Sequence, residues 1–328
     1  EPGPGCDSSY FLKLPLLLCQ LLVAPPHQLS LLYHLPIMSP AADTGLKLPK
    51  LGLGVYEIPT SKTAQVVEQA LVVGYRLIDS AQLYYNERET CEGIANFLAS
   101  STAKSQGVTR DDIIYTTKIW DTDHGYEPCV ESTARSVAIA KKAGIGHIDL
   151  LLMHSPYGGE IRETWRAMEE AQARGEVKHI GVSNFGIHHL QRLLAAPNLQ
   201  VRPAVNQLEL SPWLQRTELV HFCREQGILV EAYAPLTQGN KLADPQLLEL
   251  AKKYGRSPAQ VLIRWSVQMG FVPLPKSTHL ERLKENFVCG AEDPAAVAGG
   301  FELAPEDLAA LGDINAYEYF DWDPTVEP

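Results

Sequence analysis

Four side chains of this 328-residue chain have the types needed to place a proton on a carbonyl oxygen while hydride reaches the carbon. Asp79 and Tyr84 lie in G-Y-R-L-I-D-S-A-Q-L-Y-Y-N-E (74–87), Lys118 ends I-I-Y-T-T-K (113–118), and His154 ends I-D-L-L-L-M-H (148–154). A phenol is a weak acid, with an ordinary pKa of about 10. An ammonium beside it favours the phenolate and lowers that value. Lys118 can supply the ammonium, and Asp79 can hold it in place. His154 can donate to the carbonyl oxygen and polarise the carbon. Taken singly, each residue has a plainer explanation: Asp in a turn, Tyr packed beside Tyr85, Lys in solvent, His bonded to a loop. Their joint placement at the ends of apolar runs favours a site.

Those runs recur. Strands are expected at 51–56, 75–79, 112–118, 148–154, 177–183, 203–208, 228–233 and 271–274, with helical patterns between them. Val130, Ala134, Val137 and Ala138 repeat at helical spacing, as do Val261, Leu262 and Trp265. Gly74, Gly144, Gly175 and Gly227 stand where helices should stop, and Ser257-Pro258 where one should start. Eight strands alternating with helices fit an open doubly wound sheet or a closed (β/α)8 barrel. Gly52-Leu-Gly54 lacks the third glycine of a G-x-G-x-x-G dinucleotide fingerprint, and no helix is expected there. The α/β class is therefore read as a single-domain (β/α)8 TIM barrel. In such barrels active groups gather at the C-terminal strand ends. Asp79, Lys118, His154, Ser183, Gln207, Tyr233 and Lys276 all fall there.

Apolar residues form 45% of the chain, enough for a large core, and the formal charge of −11 argues against a nucleic-acid or anionic-membrane surface. The six cysteines show no CxxC or Cys/His spacing, so free thiols in a reducing cytoplasm are expected rather than a zinc site or disulfides. Residues 1–37 differ from the rest. Leu14 to Ala24 is apolar but too short to span a bilayer, which takes about 20 residues. Pro15, Pro25 and Pro26 interrupt any helix. This stretch is read as a disordered or non-native leader, and 38–328 as the barrel with a C-terminal tail at its pocket.

Seven segments resemble the aldo-keto reductases: D-S-A-Q-L-Y-Y-N-E (79–87), T-K-I-W (117–120), L-L-M-H-S-P (151–156), G-V-S-N-F (181–185), N-Q-L-E (206–209), A-Y-A-P-L (232–236) and P-K-S-T-H-L-E-R-L-K-E-N (275–286). They run in collinear order, the likeness extending from about 46 to 315. The resemblance implies Tyr84 as acid/base, tuned by Lys118 and Asp79, with His154 orienting a small carbonyl substrate. It also implies an extended NADPH and no metal. Ser183, Asn184 and Gln207 would bind the nicotinamide carboxamide, Tyr233 would stack on its ring, and Leu236 would lie along the cofactor. Lys276, Ser277 and Arg282 would surround the 2′-phosphate, with Glu285 and Asn286 near the adenine. Two cations and a hydroxyl at a loop entering a helix suit a phosphate.

The chain departs from many members at three places. Ser155 follows the histidine where Trp is common, Tyr56 replaces another Trp, and Ala-Pro-Leu-Thr-Gln follows in place of Ser-Pro-Leu-Gly around Tyr233. The loop Ser155 to Ile161 is short, as in bacterial and fungal members, which implies an open pocket and broad aldehyde use. Tyr56, Trp120, Tyr157, Tyr317, Tyr319, Phe320 and Trp322 are candidate pocket walls. The family default is a monomer. Two other readings are a nucleotide-sensing barrel without turnover and a metal-dependent barrel hydrolase. For the latter only His154 and Asp79 stand as possible ligands.

Overall fold

Each β-branched run becomes a strand, and each strand is followed by a helix that covers it. A computed structural model describes residues 45–327. The strands are β1 (Leu53–Gly54), β2 (Leu77–Asp79), β3 (Ile114–Ile119), β4 (Ile148–Met153), β5 (Val177–Ser183), β6 (Val205–Glu209), β7 (Leu229–Tyr233) and β8 (Val272–Pro273). All neighbouring pairs are parallel, in the order β1 through β8. The sheet closes on itself where Gly52 N donates to Pro273 O at 3.0 Å and Gly54 N to Pro275 O at 3.2 Å. Prolines have no N–H to give. At this seam their carbonyls accept from β1, while Leu274 N between them donates to Ala232 O of β7. The fold is a (β/α)8 barrel.

The seam explains Gly52-Leu-Gly54. A Cβ on Gly52 would lie 2.6 Å from a Leu274 methyl and 2.8 Å from Leu77, and one on Gly54 would lie 3.1 Å from Leu274 O. These glycines allow β1 to approach β8 rather than a pyrophosphate.

The principal helices are α1 (Thr60–Val73), α2 (Glu87–Ala99), α3 (Ser101–Gln106), α4 (Tyr126–Lys142), α5 (Ile161–Ala173), α6 (Ile187–Leu194), α7 (Thr217–Glu225), α8 (Pro245–Tyr254), α9 (Pro258–Gln268), α10 (Leu280–Phe287) and α11 (Pro305–Ala310). Gly74, Gly144, Gly175 and Gly227 end helices with positive φ, as the sequence implies. Ser257 and Gln260 form a reciprocal capping box with Pro258 at the first helical position. Val261, Leu262 and Trp265 are buried.

The helical spacing of Val130, Ala134, Val137 and Ala138 falls within α4, but two of these residues do not face inward. Ala134 and Ala138 are exposed, and the buried face is Cys129, Ser132, Thr133, Ser136, Val137 and Ala140. Small hydroxyl residues pack here because Gln82, beneath the site, bonds to Ser132 O at 3.2 Å and Ser136 Oγ at 3.0 Å. Four cysteines, at 91, 129, 223 and 289, are buried free thiols. Cys6 and Cys19 lie outside the described residues, as does the leader 1–37. Among the described residues no helix is long and apolar enough to cross a membrane.

Gly52→Val should lower the urea unfolding midpoint, with a cost of about 1–3 kcal/mol typical of overpacking. An unchanged midpoint would refute the account of the seam.

Candidate active site

The barrel's geometry brings the four chemical side chains to one mouth. Asp79 is the last residue of β2, Lys118 the penultimate residue of β3, and His154 the first residue after β4. Tyr84 ends a 3-10 turn (Gln82–Tyr84) that follows β2. Lys118 is fully buried. Its Nζ donates to Asp79 Oδ2 at 2.7 Å, to Ser80 O at 3.0 Å and to Tyr84 Oη at 3.1 Å. An ammonium has three protons, and all three have acceptors.

The loops carrying these groups are tied together. Asn86, buried at the N-terminus of α2, donates to Val55 O at 2.9 Å and accepts from Ser80 Oγ at 3.1 Å. It thereby joins the Tyr56 loop to the end of β2. Glu87 accepts from Thr117 Oγ1 at 2.6 Å, beside Lys118. Gln82 Oε1 accepts from Trp120 N at 3.3 Å. Tyr84 packs between Tyr56 and His154, with ring centroids 4.9 Å and 5.8 Å away.

Tyr84 is not acidified in the folded protein. Burial first, then the charges of Asp79 and Asp321 and the neighbouring Tyr56, push the phenol well above its ordinary range. Tyr84 is therefore a neutral phenol that keeps its proton. Burial, then the positive charge of Lys118 and then His124, push His154 well below the usual imidazole range, so it too is neutral near pH 7.

On the opposite wall, Ser183, Asn184, Gln207 and Tyr233 form one network. Ser183 Oγ donates to Gln207 O at 2.9 Å, and Tyr233 Oη donates to Asn184 Oδ1 at 2.8 Å. Asn184 Nδ2 donates to His154 O at 3.0 Å and to Ser183 Oγ at 3.2 Å. Asn184 holds a left-handed backbone with φ 63°, a conformation Asn tolerates better than most residues. Leu236 packs partly buried on the core beyond β7. The Ala-Pro-Leu-Thr-Gln segment carries positive φ at Ala234, Thr237 and Gln238, and Thr237 Oγ1 accepts from Lys241 N at 3.1 Å to steady it.

Beyond β8, Lys276 and Arg282 are exposed and form no ion pair among the described residues. Ser277 Oγ between them accepts from His279 N at 3.1 Å at the start of α10. Glu285 is exposed and Asn286 buried on the same helix.

The C-terminal tail closes the other side of the mouth. Trp322 lies 5.4 Å from Tyr157, 6.1 Å from Trp120 and 6.3 Å from His154, so these rings cluster beside the four chemical side chains. Tyr317 instead anchors the tail, bonding to Arg216 and Asp323. Phe320 contributes its backbone N–H to Glu209, and Tyr319 is half exposed. Glu209 at the end of β6 accepts from the N–H groups of Phe320 at 2.7 Å and Asp321 at 3.2 Å. Burial pushes Glu209 up to about 7, against those bonds and Arg216. Arg216 pairs with Asp323 at 3.0 Å, both nearly inaccessible. Ser155, which stands where many members carry Trp, has a structural tie of its own. It is buried and donates to Asp121 Oδ1 at 2.7 Å, pinning one loop to the next.

Residues 50–293 match the model of the Aldo/keto reductase family. The chain belongs to that family. It is 43% identical over 288 residues to an uncharacterised oxidoreductase of Saccharomyces cerevisiae, covering 87% of this chain and 97% of the relative. A glycerol 2-dehydrogenase (NADP(+)) of the same yeast is 36% identical over 303 residues, covering 83% and 89%. The solved aldose reductase of Schistosoma japonicum superposes with a TM-score of 0.73 at 30% identity, covering 87% of this chain and 94% of that one. The aldo/keto reductase fold thus extends through the whole barrel, and the chain is an oxidoreductase of that family.

Four features of this aldo/keto reductase escape a reading of motifs: Gln82 beneath Trp120, the Glu209 and Arg216 anchors of the tail, and Glu231 inside the barrel. The charged residues within apolar strands were the available signal, since Glu is almost never fully buried without a partner.

Removing the buried cation should be costly. Lys118→Met should lose about 3–5 kcal/mol of stability in urea denaturation, because Asp79 is left without its partner. A loss below about 1 kcal/mol, the scale of an exposed pair, would contradict this reading.

Proposed function

We propose that this chain is an NADPH-dependent reductase of small aldehydes, aldoses or ketones, with Tyr84 as the proton donor. The observation that carries this reading is the buried Lys118 ammonium shared between Asp79 and the Tyr84 hydroxyl. NADPH, when bound, supplies the hydride. The chain's own residues do the rest. His154 as a neutral imidazole donates to the carbonyl oxygen and holds it near Tyr84. As negative charge develops on that oxygen, the Tyr84 proton moves to it. The resulting phenolate charge is stabilised by Lys118, which already touches Tyr84 Oη. Asp79 keeps the ammonium in position throughout.

The cofactor fits the residues present. Gln207 has an amide oxygen that accepts no bond from the described residues, suited to a carboxamide N–H. Tyr233 offers a partly exposed ring held in place by Asn184. Lys276 and Arg282 are uncommitted cations beside Ser277, suited to a 2′-phosphate. NADH would leave both charges without a partner. The NADP(+) in the name of the yeast glycerol 2-dehydrogenase supports the same choice. The cluster of Trp120, Tyr157 and Trp322 beside His154, with Tyr56 beside Tyr84, suits a small carbonyl compound. We assign the protein to the cytoplasm as a monomer, with no nucleic-acid or membrane partner.

Tyr84→Phe should reduce NADPH oxidation with glyceraldehyde or methylglyoxal by about 10²–10⁴-fold, the range of a general acid. NADPH should still quench its tryptophan fluorescence. Lys276→Ala should weaken NADPH by roughly tenfold or more, as loss of a charged hydrogen bond worth about 1.5–3 kcal/mol implies, and leave NADH nearly untouched. Normal turnover by Tyr84→Phe, or equal loss of both nucleotides in Lys276→Ala, would overturn the corresponding assignment.

A further inference from the structure

Glu231 stands mid-strand in β7 and is completely buried. Its Cα partner in β6 is Gln207, whose partner in β5 is Ser183, so the three occupy one register row. Gln207 Nε2 donates to Glu231 Oε2 at 2.7 Å and to Asp79 Oδ1 at 2.8 Å. A primary amide nitrogen has two hydrogens, and both are committed. A flipped amide would point its oxygen at the Asp79 carboxylate and lose that bond.

We propose that Glu231 is a positioning residue: with Asp79 it clamps the Gln207 amide so that the amide oxygen faces the nicotinamide carboxamide, and its charge state sets how firmly the Asp79–Lys118 pair is held. This rests on the nicotinamide site described under the proposed function.

The charges facing Glu231 are few. Asp79 comes from β2 and Lys118 from β3, while Gln207 on β6 is neutral. The adjacent β8 contributes Val272 and Pro273. Two carboxyl groups thus feel the charge of one ammonium, which of the two bonds only to Asp79. Burial first, and then the Asp79 charge, push Glu231 up to about 8, against the Gln207 bond and Lys118. At neutral pH it is a neutral acid. The folded chain then holds a proton that an unfolded glutamate has released. Stability from this group is full below the ordinary carboxylate range and is lost as pH rises through about 8. Once ionised, Glu231 sets a second negative charge near Asp79 and competes for Lys118.

Two variants and two readouts test the clamp. Glu231→Gln keeps the shape and an oxygen for Gln207 but cannot ionise. Glu231→Leu removes the acceptor. NADPH affinity by fluorescence quenching and the thermal midpoint are followed between about pH 6 and about pH 9 for each variant and the wild type. Wild type should lose affinity and midpoint toward high pH, and Glu231→Gln should lose clearly less of both. Glu231→Leu should weaken NADPH roughly tenfold at neutral pH, the scale of one lost hydrogen bond. Superimposable pH profiles for wild type and Glu231→Gln, or undiminished NADPH binding by Glu231→Leu, would overturn the proposal. If the wild type itself binds no nicotinamide nucleotide, the functional reading fails instead, and the thermal profiles decide whether Glu231 ionises as described.

Discussion

The molecule is organised around one buried cation. An ammonium taken out of water costs several kcal/mol even after the protein relaxes, and it is tolerated only when its protons are all accepted. Lys118 meets that demand with a carboxylate, a backbone carbonyl and a phenol, each from the segment 79–84. The demand fixes the relative positions of β2, β3 and the turn carrying Tyr84. Asp79 then passes the constraint across the barrel, through Gln207 to Glu231 on β7. The floor of the mouth is thus a connected set of charges and hydrogen bonds.

The same low-dielectric environment decides protonation. It keeps Tyr84 a phenol, His154 an uncharged imidazole and Glu231 a neutral acid. Only Lys118 and Asp79 form an ion pair within this group. A neutral donor beside a fixed cation is matched to an alkoxide that appears during reaction, since the cation's effect grows as negative charge reaches the phenol oxygen. Under the proposed function, the chemistry depends less on a pre-acidified tyrosine than on where its charge can go.

Much of this arrangement was legible in the sequence. The apolar runs mark all eight strands, and the polar residues that end them gather as a barrel requires. What local patterns could not reveal were contacts made between distant segments. Gln207 reaches Asp79 across 128 positions, and Glu209 binds the tail 111 positions on. The buried face of α4 is not visible in local pattern because its small hydroxyl residues carry no apolar signature, yet they lie against the Gln82 turn. Gly52 and Gly54 looked like an incomplete nucleotide motif until the β1–β8 seam showed what they make room for. The tail aromatics divide into Trp322, which joins the rings beside His154, and an anchor, Tyr317, a distinction set by Arg216 and Glu209 rather than by residue type.

The central claim is that the Lys118 cation and the Tyr84 phenol act as one proton-donating unit. A double-mutant cycle on the single-turnover rate of hydride transfer from NADPH tests it most directly, using Lys118→Met, Tyr84→Phe and the double variant. The account predicts strong non-additivity, with the double variant scarcely slower than Tyr84→Phe alone. Rate losses that simply multiply would mean the two residues act independently, and would contradict it.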